Sequence, residues 1–174
     1  MKEDALWYEA ANTVGITNAL NVVTDSLSPD ASTHLIEPVD ERIDEKRTAS
    51  CFASIRDFYD SDSVPLPFRI AAHDPGYLGD LWETVRHAFS DRRLTRRFKE
   101  ALAFAVSVTT SSRFGTAFHL AEMRRLGVGN KGVMEVLGMT QMFSSYTKIA
   151  DTLQLDPDMG DIAPVDPSPV PDPS

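Results

Sequence analysis

Apolar residues recur along this chain at helical spacing, and sustained alternation of apolar and polar positions is missing. The pattern predicts helices joined by short turns. A first helix spans 4–27 and stops at Ser28-Pro29-Asp30. Residues 31–47 are charged, contain Pro38, and read as a linker with one turn of helix. A second helix covers 48–59, with Phe52, Ile55 and Phe58-Tyr59 at helical spacing. Residues 60–67 form a loop marked by two prolines and two serines, and a short helix holds 68–72. His73-Asp74-Pro75-Gly76 breaks it, and the next helix runs over 77–89. Another spans 95–109 and puts Phe98, Leu102 and Ala105 on one stripe. The run Thr109-Thr110-Ser111-Ser112 interrupts it, because hydroxyl side chains compete for backbone hydrogen bonds. Helix resumes near Arg113 and closes at Gly127, a residue suited to the left-handed turn after a helix. The last helix covers 130–155.

Three regions follow. Residues 1–47 hold the long first helix and the charged linker, 48–156 a helical domain, and 157–174 a proline-rich tail expected to be disordered. The tail's PxxP-like content reads as solvated chain or as a ligand for another domain. Glu9, Asp25, Leu27 and Asp30 align with Glu135, Asp151, Leu153 and Asp156 at a constant offset. Duplication explains this, and so do two ordinary amphipathic helices.

The 174 residues suit one domain, large enough to fold without disulfides. The single cysteine, Cys51, excludes an intramolecular disulfide, a CxxC pair and a cysteine-rich zinc site. The longest apolar run, 101–106, is too short to span a bilayer, and Met-Lys-Glu-Asp does not open a signal peptide. The expectation is a soluble cytoplasmic protein with no membrane partner. A net charge of −9 argues against nucleic acid as a partner. Arg92, Arg93, Arg96, Arg97 and Lys99 nevertheless cluster, as a solvated face or as an anion or subunit contact.

The segment from Leu94 to Leu155 carries the most chemistry. Glu100 sits in Lys99-Glu100-Ala101-Leu102, His119 in Ala117-Phe118-His119, and Gly127 closes the helix. Upstream come Val64-Pro65 and His73-Asp74-Pro75 before a helix. Over about residues 50–155 this resembles the carboxymuconolactone decarboxylase and alkylhydroperoxidase D-like family. That family's core is a Glu near the start of an apolar helix, a CxxC, a His, and a Gly ending the next helix. The resemblance implies an all-α fold whose subunits assemble through helices into trimers or hexamers. The two family cysteines fall at Ser112 and Gly115, and the His that some members carry between them falls at Phe114. Thiol–disulfide exchange needs a thiolate and a second sulfur, so peroxidase activity is not expected. The family's non-redox branch decarboxylates a lactone and usually has an acidic residue near the second cysteine position, here Gly115.

On their own terms, Glu100 and His119 form an acid–base pair if their helices pack antiparallel, since a carboxylate can orient an imidazole and fix its tautomer. The alternative is a core histidine bonded to Glu100. Ser112 lies seven residues before His119 and shares its helix face, yet shows no nucleophile elbow, and a helix cap is its other role. Arg113 is a candidate holder of a substrate carboxylate. Gly115 and Phe114 are candidates for the pocket wall, with close helix packing as the other role for Gly115. His119 with Glu122, and Glu83 with His87, have spacings that two facing helices use for metals, but chance explains them in a chain with 26 acidic residues, and neither metal nor cofactor is expected. Met134, Met139 and Met142 line the last helix as core or subunit interface, and Trp7, Tyr8 and Trp82 read as packing anchors. Two functions emerge. One is acid–base chemistry, a decarboxylation or isomerisation, on a small organic acid. The other is a non-catalytic assembly or interaction subunit, as a homo-oligomer or paired with a related chain that kept its cysteines.

Overall fold

Side-chain caps start four of the helices. Glu45 accepts from the N–H groups of Arg47 and Thr48, Asp74 from Gly76 and Tyr77, Thr95 from Phe98, and Ser112 from Gly115. In the computed structural model, which describes residues 4–27, 34–43 and 45–155, these caps help set a run of seven helices. They are α1 (Asp4–Leu27), α2 (Lys46–Tyr59), α3 (Leu66–Ala71), α4 (Pro75–Phe89), α5 (Arg96–Thr109), α6 (Arg113–Arg125) and α7 (Asn130–Leu153). No strand occurs among the described residues. Helix α4 begins two residues earlier than the sequence suggests, because Pro75 serves as its first helical residue behind the Asp74 cap. Gly127, at φ +84°, makes the left-handed turn between α6 and α7. The proline-rich tail lies outside the described residues.

Helices α2, α3 and α4 supply an aromatic core. Phe52, Ile55, Tyr59, Phe68, Leu78, Trp82, Val85 and Phe89 are all buried there. Burying each such side chain contributes about 1.5–3 kcal/mol. A smaller core joins Phe104 of α5, Met123 of α6 and Val133 of α7. Between the two cores run α5 and α6, an antiparallel pair linked through Thr110, Ser111 and Ser112, with Ser111 at φ +60°.

The buried face of α5 is not the apolar stripe expected. Phe98 is half exposed, whereas Lys99, Glu100, Ala103, Phe104 and Ser107 are buried. Polar groups on other helices meet these residues. Helix α1 is similarly inverted: Thr13, Thr17, Asn21 and Thr24 face inward, while Trp7 and Tyr8 are 78% and 75% exposed. Those two aromatics therefore do not anchor packing, although Trp82 does, and its indole N–H donates to Ser54. The inward threonines can be buried because each hydroxyl donates to a carbonyl of its own helix. Only the start of α7 is packed, so Met134, Met139 and Met142 lie on an exposed face and not in the core.

Candidate functional site

Glu100 is five residues into α5 and His119 seven into α6, and the antiparallel pairing sets them face to face. Glu100 Oε2 and His119 Nδ1 are 2.7 Å apart, and both residues are buried. The imidazole stacks on Phe89 at 5.8 Å and an interplanar angle of 6°, with Phe118 edge-on at 5.2 Å. One nitrogen and one ring face are thereby fixed. Nε2 makes no hydrogen bond among the described residues and is not a buried atom without a partner.

A chain of charges continues from Glu100. Arg96 Nε lies 3.6 Å from Glu100 Oε1, and neither atom has a hydrogen-bond partner. The Arg96 guanidinium donates to Glu122 Oε2 at 2.8 Å and to the Phe58 carbonyl at 2.6 Å, and it covers the Phe58 ring at 3.9 Å. Glu122 also takes a fork of bonds from Arg125, which raises the arginine's already high pKa. Tyr59 stands beside this network. Burial, then the charge of Glu100, push its phenol well above the usual range, so it stays protonated. Two carboxylates thus face two guanidiniums. A neutral His119 leaves the cluster electrically even, and a proton accepted at Nε2 adds one positive charge.

The remaining candidates lie elsewhere. Ser112 caps α6: its Oγ accepts from Gly115 N at 3.1 Å and donates to Asp25 Oδ1 of α1 at 3.0 Å. Its proton is committed to α1, and seven residues of helix put it about 10 Å along the axis from His119. The structure does not bring Ser112 to the imidazole. Gly115 is buried, and a Cβ there would collide with Asn21 Oδ1 and Ser107 Oγ. Asn21 is held in place by donating to Ser107 at 3.1 Å and Thr110 at 3.2 Å. The space beside Gly115 is therefore closed by α1, which makes it a packing glycine and not an opening for ligand. Phe114 stacks on Phe118 at 5.5 Å, and Arg113 is exposed and makes no ion pair among the described residues. Glu122 is taken up by two arginines. No group of three metal-ligating side chains occurs among the described residues.

None of the four principal clefts is lined by Glu100, Ser112, Gly115 or His119. Arg96 joins the site through Glu100 and Glu122, a role that neither a solvated face nor an anion or subunit contact anticipates. The i, i+4 spacing of Arg96 and Glu100 was the available signal. Asn21 and Asp25 carried no signal, because their partners lie more than 80 residues away.

The profile of the carboxymuconolactone decarboxylase family matches residues 75–155, the stretch that contains this pair. Over that stretch the chain resembles the carboxymuconolactone decarboxylase family. The same fold occurs in the crystal structure of an alkylhydroperoxidase AhpD core from Rhodospirillum rubrum. That structure matches with a TM-score of 0.68 at 24% identity, over 73% of this chain and 96% of that one. No curated protein sequence matches the chain significantly. Among the described residues, no helix is long and apolar enough to cross a membrane. Helix α1, which closes the space beside Gly115, precedes the matched segment.

Proposed function

We propose that this protein is a carboxymuconolactone decarboxylase-like enzyme, without the family's pair of redox thiols, that moves a proton on a small organic acid. The observation that supports this most is the buried 2.7 Å contact of His119 Nδ1 with Glu100, which leaves Nε2 free of internal bonds. Glu100 accepts the Nδ1 proton, fixes the tautomer and stabilises the imidazolium that forms. Nε2 then takes a proton from the substrate carbon and returns it, as in an isomerisation. In a decarboxylation the imidazolium gives its proton to the carbon from which carbon dioxide departs. Arg113 is available to hold a carboxylate, and Ser112 takes the part of a helix cap. No metal or cofactor enters this reading.

The test uses the purified full chain with carboxymuconolactone and related small lactone and keto acids. Carbon dioxide release and deuterium uptake from heavy water are followed. His119→Ala is expected to lower turnover about 10²- to 10⁴-fold, the usual worth of one general acid–base group. Turnover that survives His119→Ala, or none with any compound of the panel, contradicts the proposal.

A second reading rests on α7. Met142, Phe143, Tyr146, Ile149 and Leu153 are each more than half exposed on it, which is the composition of a protein contact. In that reading the chain is an assembly subunit, in a homo-trimer, a homo-hexamer, or a complex with a related chain. Phe143→Glu with Tyr146→Glu then dissolves the assembly in light scattering, while His119→Ala leaves it intact.

A further inference from the structure

A cleft of about 580 Å³ opens between the start of α1, the end of α4 and the loop before α5. That volume is within the range of small-molecule sites, and neither Glu100 nor His119 lines it. Its walls include Tyr8, Glu9, Asn12, His87, Arg92 and Arg93. Glu9, the acid in the wall, is already matched. It accepts from the Lys99 ammonium at 2.7 Å and from the N–H groups of Arg93 and Leu94 at 3.2 Å each. The guanidiniums of Arg92 and Arg93 have no carboxylate partner among the described residues. In a chain of net charge −9, two adjacent arginines thus bring uncompensated positive charge to one cleft.

The loop that presents these arginines is held along its length. Glu9 grips the N–H groups of residues 93 and 94, and Lys99 donates to the Ser90 carbonyl at 2.6 Å. Asp91 accepts from the Arg96 N–H at 2.6 Å, and the Arg92 N–H donates to the Leu94 carbonyl at 3.2 Å. The entropy of ordering this loop is therefore lost in folding and not on binding. Arg92 is aimed as well. Its Nη2 lies 2.9 Å from His87 Nδ1, and because a guanidinium only donates, the imidazole is neutral and accepts there. One N–H of Arg92 is used in this way, and its other N–H groups face no acid. The chemistry of the anion follows from the donor set. A planar carboxylate has two oxygens and accepts one guanidinium fork. A phosphate monoester carries a charge of about −1.5 to −2 at pH 7 and three acceptor oxygens, enough for both arginines. The cleft exceeds a bare phosphate in size, which leaves room for an organic group against the Tyr8 ring, itself 75% exposed.

We propose that this cleft is a second binding site, separate from the Glu100–His119 pair, for a small phosphate monoester that carries an aromatic or apolar group. Its phosphate oxygens accept from Arg92 and Arg93, His87 holds Arg92 in place, and the organic part lies on Tyr8. The local positive charge draws such an anion to this one face of an acidic molecule.

The test titrates phenyl phosphate into the full chain and follows the arginine Nε–H and His87 ring signals by ¹H–¹⁵N NMR. The proposal expects saturable shifts at Arg92, Arg93 and His87, and tighter binding of phenyl phosphate than of inorganic phosphate or malonate. The Arg92→Gln, Arg93→Gln variant should bind about 10-fold or more weakly, the worth of at least one hydrogen bond to a charged group, with an unchanged thermal midpoint. His119→Ala should bind as the native chain does. No saturable shift at Arg92 and Arg93 overturns the proposal. So does an affinity that survives the double glutamine variant, which puts the ligand elsewhere. Malonate bound as tightly as phenyl phosphate overturns the choice of phosphate, and inorganic phosphate bound as tightly overturns the role of Tyr8. Binding lost in a folded His119→Ala chain overturns the separation of the two sites.

Discussion

Gly115→Ala probes the closure of the site by α1. The added methyl points at Asn21 Oδ1 and Ser107 Oγ, and both atoms belong to buried side chains. Ser107 can rotate, but Asn21 is tied to Ser107 and Thr110 by two hydrogen bonds. Overpacking of this kind costs about 1–3 kcal/mol. Alanine is the better helix former by at most about 1 kcal/mol, and by less in a first turn, so the collision wins. Asn21→Ala alone leaves Ser107 and Thr110 without their donor and costs about 1–2 kcal/mol. In the double variant the methyl finds room, and the two costs do not add. Urea unfolding of the four chains gives the coupling directly, expected at 1 kcal/mol or more in the rescuing direction and on the order of the values measured for residues in contact. In a domain of this size each kcal/mol moves Tm by roughly 2–4 °C. A neutral Gly115→Ala, or strict additivity with Asn21→Ala, would refute the packing of α1 against α6.

Other outcomes follow from the same geometry. Glu100→Ala removes the carboxylate shared by Arg96 and His119, leaves Arg96 with Glu122 as its remaining acid, and costs up to about 3–5 kcal/mol in chemical denaturation, the range for breaking one side of a buried pair. Ser112→Ala removes a helix cap and the bond to Asp25, costs about 0.5–2 kcal/mol, and leaves the Glu100–His119 contact intact by NMR. Burial raises the Glu9 carboxyl, but Lys99 and the Leu94 and Arg93 N–H groups outweigh it and hold it below its ordinary value of 4.5. The stability Glu9 contributes is complete above pH 4.5 and drains as the pH falls through its lower folded value, so the acid limb of the stability profile flattens in Glu9→Gln.

Much of this fold is legible in the sequence because helix ends are local events. Asp74-Pro75, Thr95, Ser112 and Gly127 act within one turn of themselves, and the helix limits follow them to within about two residues. The Glu100–His119 pairing is also readable, since two helices joined by a tight turn must run antiparallel. Burial is harder. Lys99 is inside because Glu9, 90 residues away, supplies the opposite charge. Phe98, one residue earlier, is turned outward by that same choice of face. Gly115 looks like open space on a helix until Asn21 is seen to occupy it, and no periodicity within α6 reveals a side chain arriving from α1.

The proton-accepting role of His119 Nε2 is tested most directly by long-range ¹H–¹⁵N NMR of its imidazole in the full chain. The account predicts that the neutral ring carries its proton on Nδ1, hydrogen-bonded to Glu100, with Nε2 a bare acceptor, and that Glu100→Ala abolishes this tautomer preference. A neutral ring protonated on Nε2, or a tautomer unchanged by Glu100→Ala, contradicts it.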